Sequence, residues 1–344
     1  MSRWAVILAG GVGSRFWPLS TPRRPKQLLP LVSDAPLLAD TMARLAALIP
    51  AERTLIVTSS SLAASVRAML PELPAENVIA EPRAAGTAPA LVWAATTIAR
   101  RGTPDDVMIC VHADWAIGDD VEFRATLARA AEVAERERSL VTVGVVPARP
   151  DPGFGYIEPG EELAGARRVK RFAEKPNRET AARMVASGYL WNSGIFVWRA
   201  SDFLDEVRAH SPEVAPWLLL AQGGDIDRFF TEVTPISVDE GVLERSARVL
   251  VIPGDFGWDD VGTWAALHRV RRRDELGNAT FGDVHSVNAS NNVVHAEGGS
   301  VVLYGVDDLV VVSRAGMTLV TTKERAAELK LLLDVLPKSV RELP

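Results

Sequence analysis

Residues 8–30 read LAGGVGSRFWPLSTPRRPKQLLP, which gathers three glycines, three arginines and one lysine directly after the first apolar run. Missing side chains let successive backbone N–H groups approach a phosphate closely. Arginine grips a phosphate through two donors at once, and lysine adds a point charge. Gly10, Gly11 and Gly13 would form the cradle, with Arg15 and Lys26 flanking FWPLSTPRRP. Four prolines between 18 and 30 stiffen the loop, so its charges need less ordering when an anion binds. A tight connection alone is the bland account of the glycines, and the flanking cations weigh against it. No Gly-Lys-Ser/Thr follows, so this is not a Walker A loop, and Phe16 stands where the G-x-G-x-x-G pattern needs its last glycine. That mismatch disfavours an NAD-dependent oxidoreductase.

Other candidates are weaker when taken singly. Asp114 ends the apolar run in VHAD, and Asp260 lies far downstream in WDDVG; an Asp in either place is usually a turn or cap residue. Glu174 and Lys175 in FAEKP read as a surface ion pair, worth little to stability. Asn192 in WNSG reads as a turn residue. Cys110, the single cysteine, lies in VMICV and reads as plain core, and five scattered histidines show no zinc-ligand spacing.

The elements that would position these residues follow from periodicity. Residues 4–9, 54–58, 107–111 and 140–146 are short β-branched runs. PLLADTMARLAALI, TAPALVWAATTIARR and VEFRATLARAAEVAERE repeat apolar residues at helical spacing between them. Alternation of this kind predicts an α/β domain with a mainly parallel sheet covered on both faces. Ligands of such sheets bind beyond the carboxyl ends of the strands, where the glycine loop and HADW fall. After RRRDELGNA the texture turns to short β-rich segments punctuated by Gly and Asn, then a closing helix. The domains are therefore drawn as 1–275 and 276–344. Spaced Asn and Gly residues suit solenoid-like coils, and a small β-meander fits the spacing equally well.

A net charge of −6 and a pI near 5.5 argue against a nucleic-acid partner. No apolar run approaches membrane-spanning length and no signal peptide opens the chain, so a soluble cytoplasmic protein is expected.

LAGGVGSRFWPLSTPRRPKQLLPL resembles the N-terminal motif of sugar-1-phosphate nucleotidylyltransferases, and FWPLS followed by PKQ resembles their mannose-1-phosphate guanylyltransferase branch. EPRAAGTAPA, HAD, GFGYIE, FAEKP, WNSGIFVW and WDDVGTW agree with it in order, from residue 6 to about 265. The resemblance implies a Rossmann-like, GT-A-like catalytic domain followed by a short left-handed β-helix-like region. It implies Mg²⁺ as cofactor, held by Asp114 and Asp260, with Asp259 ranked lower because an extended segment would turn it elsewhere. It implies GTP bound by Leu8, Gly10, Gly11, Gly13, Ser14, Arg15, Lys26, Glu81, Gly86 and Thr87. Mannose 1-phosphate would be bound by Gly155, Tyr156, Glu174, Lys175 and Asn192. Arg15, Lys26 and Lys175 would act in catalysis.

The chain departs from the common form at Gly86, where Asn is usual, and at Trp115, where His usually follows the metal-site Asp. Guanine recognition is then expected through Glu81 and backbone groups. The expected reaction is in-line attack of the sugar phosphate on the α-phosphorus of GTP, giving GDP-mannose and pyrophosphate. Alternatives are the same chemistry with another hexose 1-phosphate or nucleoside triphosphate, or a regulatory subunit that binds nucleotide sugars without catalysis. The length leaves no room for the isomerase domain fused to some relatives, so one activity is expected, with a homodimer as the oligomer to test.

Overall fold

The computed structural model describes residues 1–11, 13–314 and 316–341. The chain forms two compact units. One comprises Met1–Gly10, Ala43–His112 and Asp119–Trp258; the other comprises Gly11–Met42, Ala113–Gly118 and Asp259–Pro344. The division is not linear in sequence: the loop after the first strand and the short segment after His112 cluster with the C-terminal residues.

The first unit is built on a nine-stranded sheet. Its strands are β1 (Arg3–Leu8), β2 (Thr54–Ser59), β3 (Val78–Glu81), β4 (Val107–His112), β5 (Leu140–Val145), β6 (Tyr156–Leu163), β7 (Ala166–Ala173), β8 (Leu190–Arg199) and β9 (Val249–Gly254), in the order β3-β2-β1-β4-β8-β5-β9-β7-β6. The half containing β3, β2, β1 and β4 is parallel. These strands are short runs of Val, Ile and Leu buried along nearly their whole length, as strands covered on both faces must be. The other half is mixed, because β8 enters antiparallel to both β4 and β5, and β6 and β7 form an antiparallel pair. Trp4, Val6, Leu91, Ile98, Phe196, Trp198 and Phe203 lie in the main core cluster, and Cys110 is fully buried among them.

The first four α-helices are α1 (Leu37–Ala46), α2 (Ala63–Met69), α3 (Thr87–Arg101), which begins at the candidate residue Thr87, and α4 (Asp120–Glu137). Asp119 caps α4 by accepting from the Val121 and Glu122 amides, which ends the strand-to-helix connection after β4. No helix among the described residues is long and apolar enough to cross a membrane.

The second unit carries stacked coils, one of the two arrangements that the Asn and Gly spacing left open. Its strands are β10 (Ala279–Phe281), β11 (Val284–Val287), β12 (Val293–Glu297), β13 (Val301–Tyr304), β14 (Leu309–Arg314) and β15 (Met317–Thr322). β10, β12 and β14 stack in parallel, as do β11 and β13, and β15 closes the larger sheet antiparallel. Parallel stacking of successive strands decides for coils over a meander. Asn278 and Asn292, both buried, make a ladder inside the turns: the Asn292 amide donates to Asn278 Oδ1 at 2.9 Å and to the Val306 carbonyl at 3.0 Å. Phe16, Leu19, Leu29 and Leu31 from the glycine-loop segment share one core with Val261, Trp264, Val293 and Val310. The loop is therefore held by apolar packing as well as by its prolines.

Candidate active site

In the second unit, an isolated antiparallel bridge joins Ala116 to Asp259, with N–H···O distances of 2.9 and 3.1 Å in the two directions. That bridge brings the segment of Asp114 beside that of Asp260. Lys26 fastens both: Nζ donates to Asp114 Oδ2 at 2.9 Å and to the Asp260 carbonyl at 2.6 Å. Lys26 sits in a short 3₁₀ turn (Lys26–Leu28) and is only 5% exposed, so its charge is committed inward. Gly13 has φ +66°, and a Cβ there would collide with Lys26 Cβ. Close approach of the two segments, more than phosphate contact alone, explains why residue 13 is glycine.

Asp259 and Asp260 face different tasks. Asp259 Oδ2 accepts from Arg269 at 2.8 and 3.1 Å, and its Oδ1 accepts from the Val261 amide at 3.0 Å. Asp260 Oδ1 accepts from the Gly262 amide at 3.0 Å, and a Cβ at Gly262 would sit 2.5 Å from Asp260 Oδ2. Burial pushes the Asp260 carboxyl above the ordinary carboxylate range; the Lys26 charge opposes this, while the Asp259 and Asp114 carboxylates add to it. Asp114 and Asp260 offer hard carboxylate oxygens close enough to interact electrostatically, a donor type that suits Mg²⁺, which takes few protein carboxylates and completes its shell with water and phosphate. Among the described residues no group of three or more His, Cys, Asp or Glu side chains that could hold a metal ion is present.

Arg15 lies in a 3₁₀ turn (Ser14–Phe16) that begins at Gly13; Ser14 and Arg15 are exposed, and Arg15 has no protein partner among the described residues. Gly11 has φ +86° and open space around it.

The first unit carries the remaining candidates. Leu8 and Gly10 lie at and just beyond the end of β1. Glu81 ends β3, and burial pushes its carboxyl up to about 7. Gly86 caps α3 with φ +86° and ψ 172°, a conformation reserved for glycine, and a Cβ there would strike the Ile236 carbonyl. Thr87 Oγ1 accepts from the Val238 amide at 2.8 Å. Residues 85–88 are thus laced to 236–238, since Ile236 N donates to the Ala85 carbonyl and Ala88 N to the Ile236 carbonyl.

β6 pairs with β8 through Tyr156 and Trp191, and Asn192 N donates to the Gly155 carbonyl at 2.8 Å. The β5–β8 register slips between Val143 and Gly144, a bulge that re-aims the residues around Asn192. A Cβ at Gly155 would lie 2.8 Å from Glu174 Oε2 and 3.4 Å from Asn192 Cβ, so Gly155, Glu174 and Asn192 converge. Glu174 and Lys175 form an ion pair and are both well exposed. The Tyr156 phenol is buried and spent on Asp151, accepting from its amide at 2.9 Å and donating to its carbonyl at 3.0 Å. Its side chain braces the 151–156 turn.

One residue escaped sequence reasoning. Asp239 accepts from Asn192 Nδ2 at 2.8 Å, and burial pushes its carboxyl up despite that bond. It begins a π-helical turn (Asp239–Leu243), a feature frequent at functional sites, but SVDEGV offers no spacing that announces it.

Residues 4–276 match the nucleotidyl transferase family, and residues 282–336 match the MannoseP isomerase/GMP-like β-helix domain. The chain is 38% identical over 350 residues to the mannose-1-phosphate guanylyltransferase of Escherichia coli K12, covering 96% of this chain and 73% of that protein. It is 37% identical to mannose-1-phosphate guanylyltransferase ManC of Salmonella typhimurium, covering 96% and 72%. A crystal structure from Thermus thermophilus, described as a mannose-1-phosphate geranyltransferase, superposes with a TM-score of 0.91 at 34% identity, covering 97% of this chain and 99% of that one.

Proposed function

The chain belongs to the nucleotidyl transferase family, in its mannose-1-phosphate guanylyltransferase branch, and from that premise we propose that it makes GDP-mannose and pyrophosphate from GTP and α-D-mannose 1-phosphate. An anionic oxygen of the sugar phosphate attacks the α-phosphorus in line. The new P–O bond forms as the bond from the α-phosphorus to the bridging oxygen of pyrophosphate breaks, and the leaving group carries away the electron pair. The attacking oxygen is already ionised, so no protein base or nucleophile is required. Alignment and charge neutralisation supply the catalysis.

The Lys26 ammonium, bridging Asp114 and the Asp260 carbonyl, is the observation that carries this reading. Lys26, exposed Arg15 and the amides of Gly11, Gly13 and Ser14 bind the triphosphate. Asp114 and Asp260 would hold Mg²⁺, which when bound neutralises charge at the phosphates. Lys175 holds the sugar phosphate; release from its ion pair with Glu174 lets the carboxylate turn to sugar hydroxyls. Asn192, oriented by Asp239, and the Gly155 backbone complete the sugar contacts. Glu81, Gly86 and Thr87 meet the base.

One observation favours a second reading, the same chemistry with a different base: at Gly86 the chain presents no side-chain amide to a nucleobase. ³¹P NMR of the products tests the proposal. GDP-mannose and pyrophosphate should accumulate with the wild-type protein and nearly vanish with Asp260→Asn; wild-type product formation by that variant removes Asp260 from the mechanism.

A further inference from the structure

Three points on the phosphate loop are held by charged residues for which nucleotidyl transfer has no direct use. Arg314 Nη1 donates to the Pro18 carbonyl at 3.2 Å. Arg24 Nη1 and Nη2 donate to the two Glu297 oxygens at 2.7 and 2.9 Å. Arg271 Nε donates to the Leu31 carbonyl at 2.5 Å. The anchors fall before, beside and after Lys26, and all three donors or acceptors come from the residues that follow Val270.

They are also joined to one another. Arg271 Nη2 lies 3.0 Å from His295 Nδ1 and His295 Nε2 lies 3.1 Å from Glu297 Oε1. A guanidinium has no acceptor, so Nδ1 must accept and Nε2–H must donate to Glu297, which assigns the neutral tautomer. The imidazole is fully buried and stacks on Phe281 with ring centroids 4.3 Å apart. Burial would raise the Glu297 carboxyl, but the hydrogen bonds from His295 and Arg24 outweigh it and hold the group at about 2. Glu297 is therefore a fixed anion with both oxygens engaged, facing Arg24, Arg314 and His295.

Arg24 passes this constraint to the loop. Its backbone N–H and C=O pair with the C=O and N–H of Thr21, both at 3.0 Å, so fixing its side chain fixes the 21–24 turn. Pro25, with φ −70°, then leads directly into Lys26. Little slack separates the Glu297 carboxylate from the position of the Lys26 ammonium.

We propose that Glu297 is a positioning residue for nucleotidyl transfer, acting through the Arg24 fork to set Lys26 against Asp114 and Asp260. The β-rich coils are then part of the triphosphate-binding apparatus and not merely a packing appendage. This inference rests on the role assigned to Lys26 above.

Steady-state kinetics with GTP and mannose 1-phosphate varied separately, on the full-length chain, test it. Glu297→Gln keeps the volume and loses the charge; Arg24→Lys keeps a charge and loses the fork. Each should lower kcat/KM for GTP at least about tenfold, while KM for mannose 1-phosphate stays within about twofold, since misplacement of roughly 1 Å costs about 10²-fold. If Glu297→Gln does not fold, Arg24→Lys decides alone. Folded variants with wild-type kcat/KM for GTP overturn the inference, as does a KM for mannose 1-phosphate that rises about tenfold or more alongside the loss. Lys26→Ala, run in parallel, separates the two levels: normal kinetics there remove the underlying reading and this inference with it. An impaired Lys26→Ala beside a normal Glu297→Gln and Arg24→Lys overturns this inference alone.

Discussion

Lys26 Nζ lies 2.9 Å from Asp114 Oδ2 and 2.6 Å from the Asp260 carbonyl, so one ammonium ties together residues 88 and 234 positions away in the chain. The same charge lowers the cost of crowding Asp114 and Asp260, whose mutual repulsion contributes to the raised Asp260 carboxyl. On the proposed reading, a lysine in this place serves both the triphosphate and the carboxylate opposite it.

Lys26→Met keeps the apolar stem and deletes the charge. It should lower kcat/KM for GTP by about 10²–10³-fold, the scale lost with one oriented charge-stabilising donor. Pyrophosphate-release kinetics on the folded variant check this, and a loss confined to KM for the sugar phosphate would assign Lys26 elsewhere.

Gly86→Asn introduces the residue that the family resemblance led one to expect there but places a side chain at φ +86°, against the Ile236 carbonyl. Strain of this kind costs about 1–3 kcal/mol before the collision is counted. Urea denaturation should show a lower midpoint with an unchanged slope. A variant as stable as wild type would mean that the 84–88 segment relaxes away from Ile236.

Glu81 titrates at about 7 when folded, against 4.5 for a free side chain. Between those values the folded protein retains a proton that the unfolded chain has released, so folding stability falls as pH rises through the window. Glu81→Gln cannot ionise there. It should match or trail wild type near pH 5 and exceed it at pH 8 in thermal unfolding, whereas parallel pH profiles for the two proteins would contradict the burial of this carboxyl.

Strands β1, β2, β4 and β5 were legible because they are buried along nearly their whole length and therefore read as short, largely apolar runs. The insertion of β8 between β4 and β5 was not, since strand order depends on pairings between residues far apart in sequence. The spaced Asn and Gly residues signalled regular turns, yet only the parallel pairing of β10 with β12 and of β12 with β14 distinguishes stacked coils from a meander. In the site, the glycine-rich loop was visible as a local cluster of charge. The clamp of Arg24 on Glu297 was not, because its partners lie 273 positions apart in the chain. Asp239 stayed hidden for a related reason: its significance lies in burial and in the Asn192 amide, neither of which a string of residue types displays.

The central claim is tested most directly by mixing the protein with Mg²⁺, mannose 1-phosphate and each of the four common nucleoside triphosphates in turn, and following pyrophosphate release. Rapid release with GTP, and much slower release with the other three, is the predicted result. Absence of release with every nucleotide would contradict the assignment of this chain's Lys26, Asp114 and Asp260 to nucleotidyl transfer onto mannose 1-phosphate.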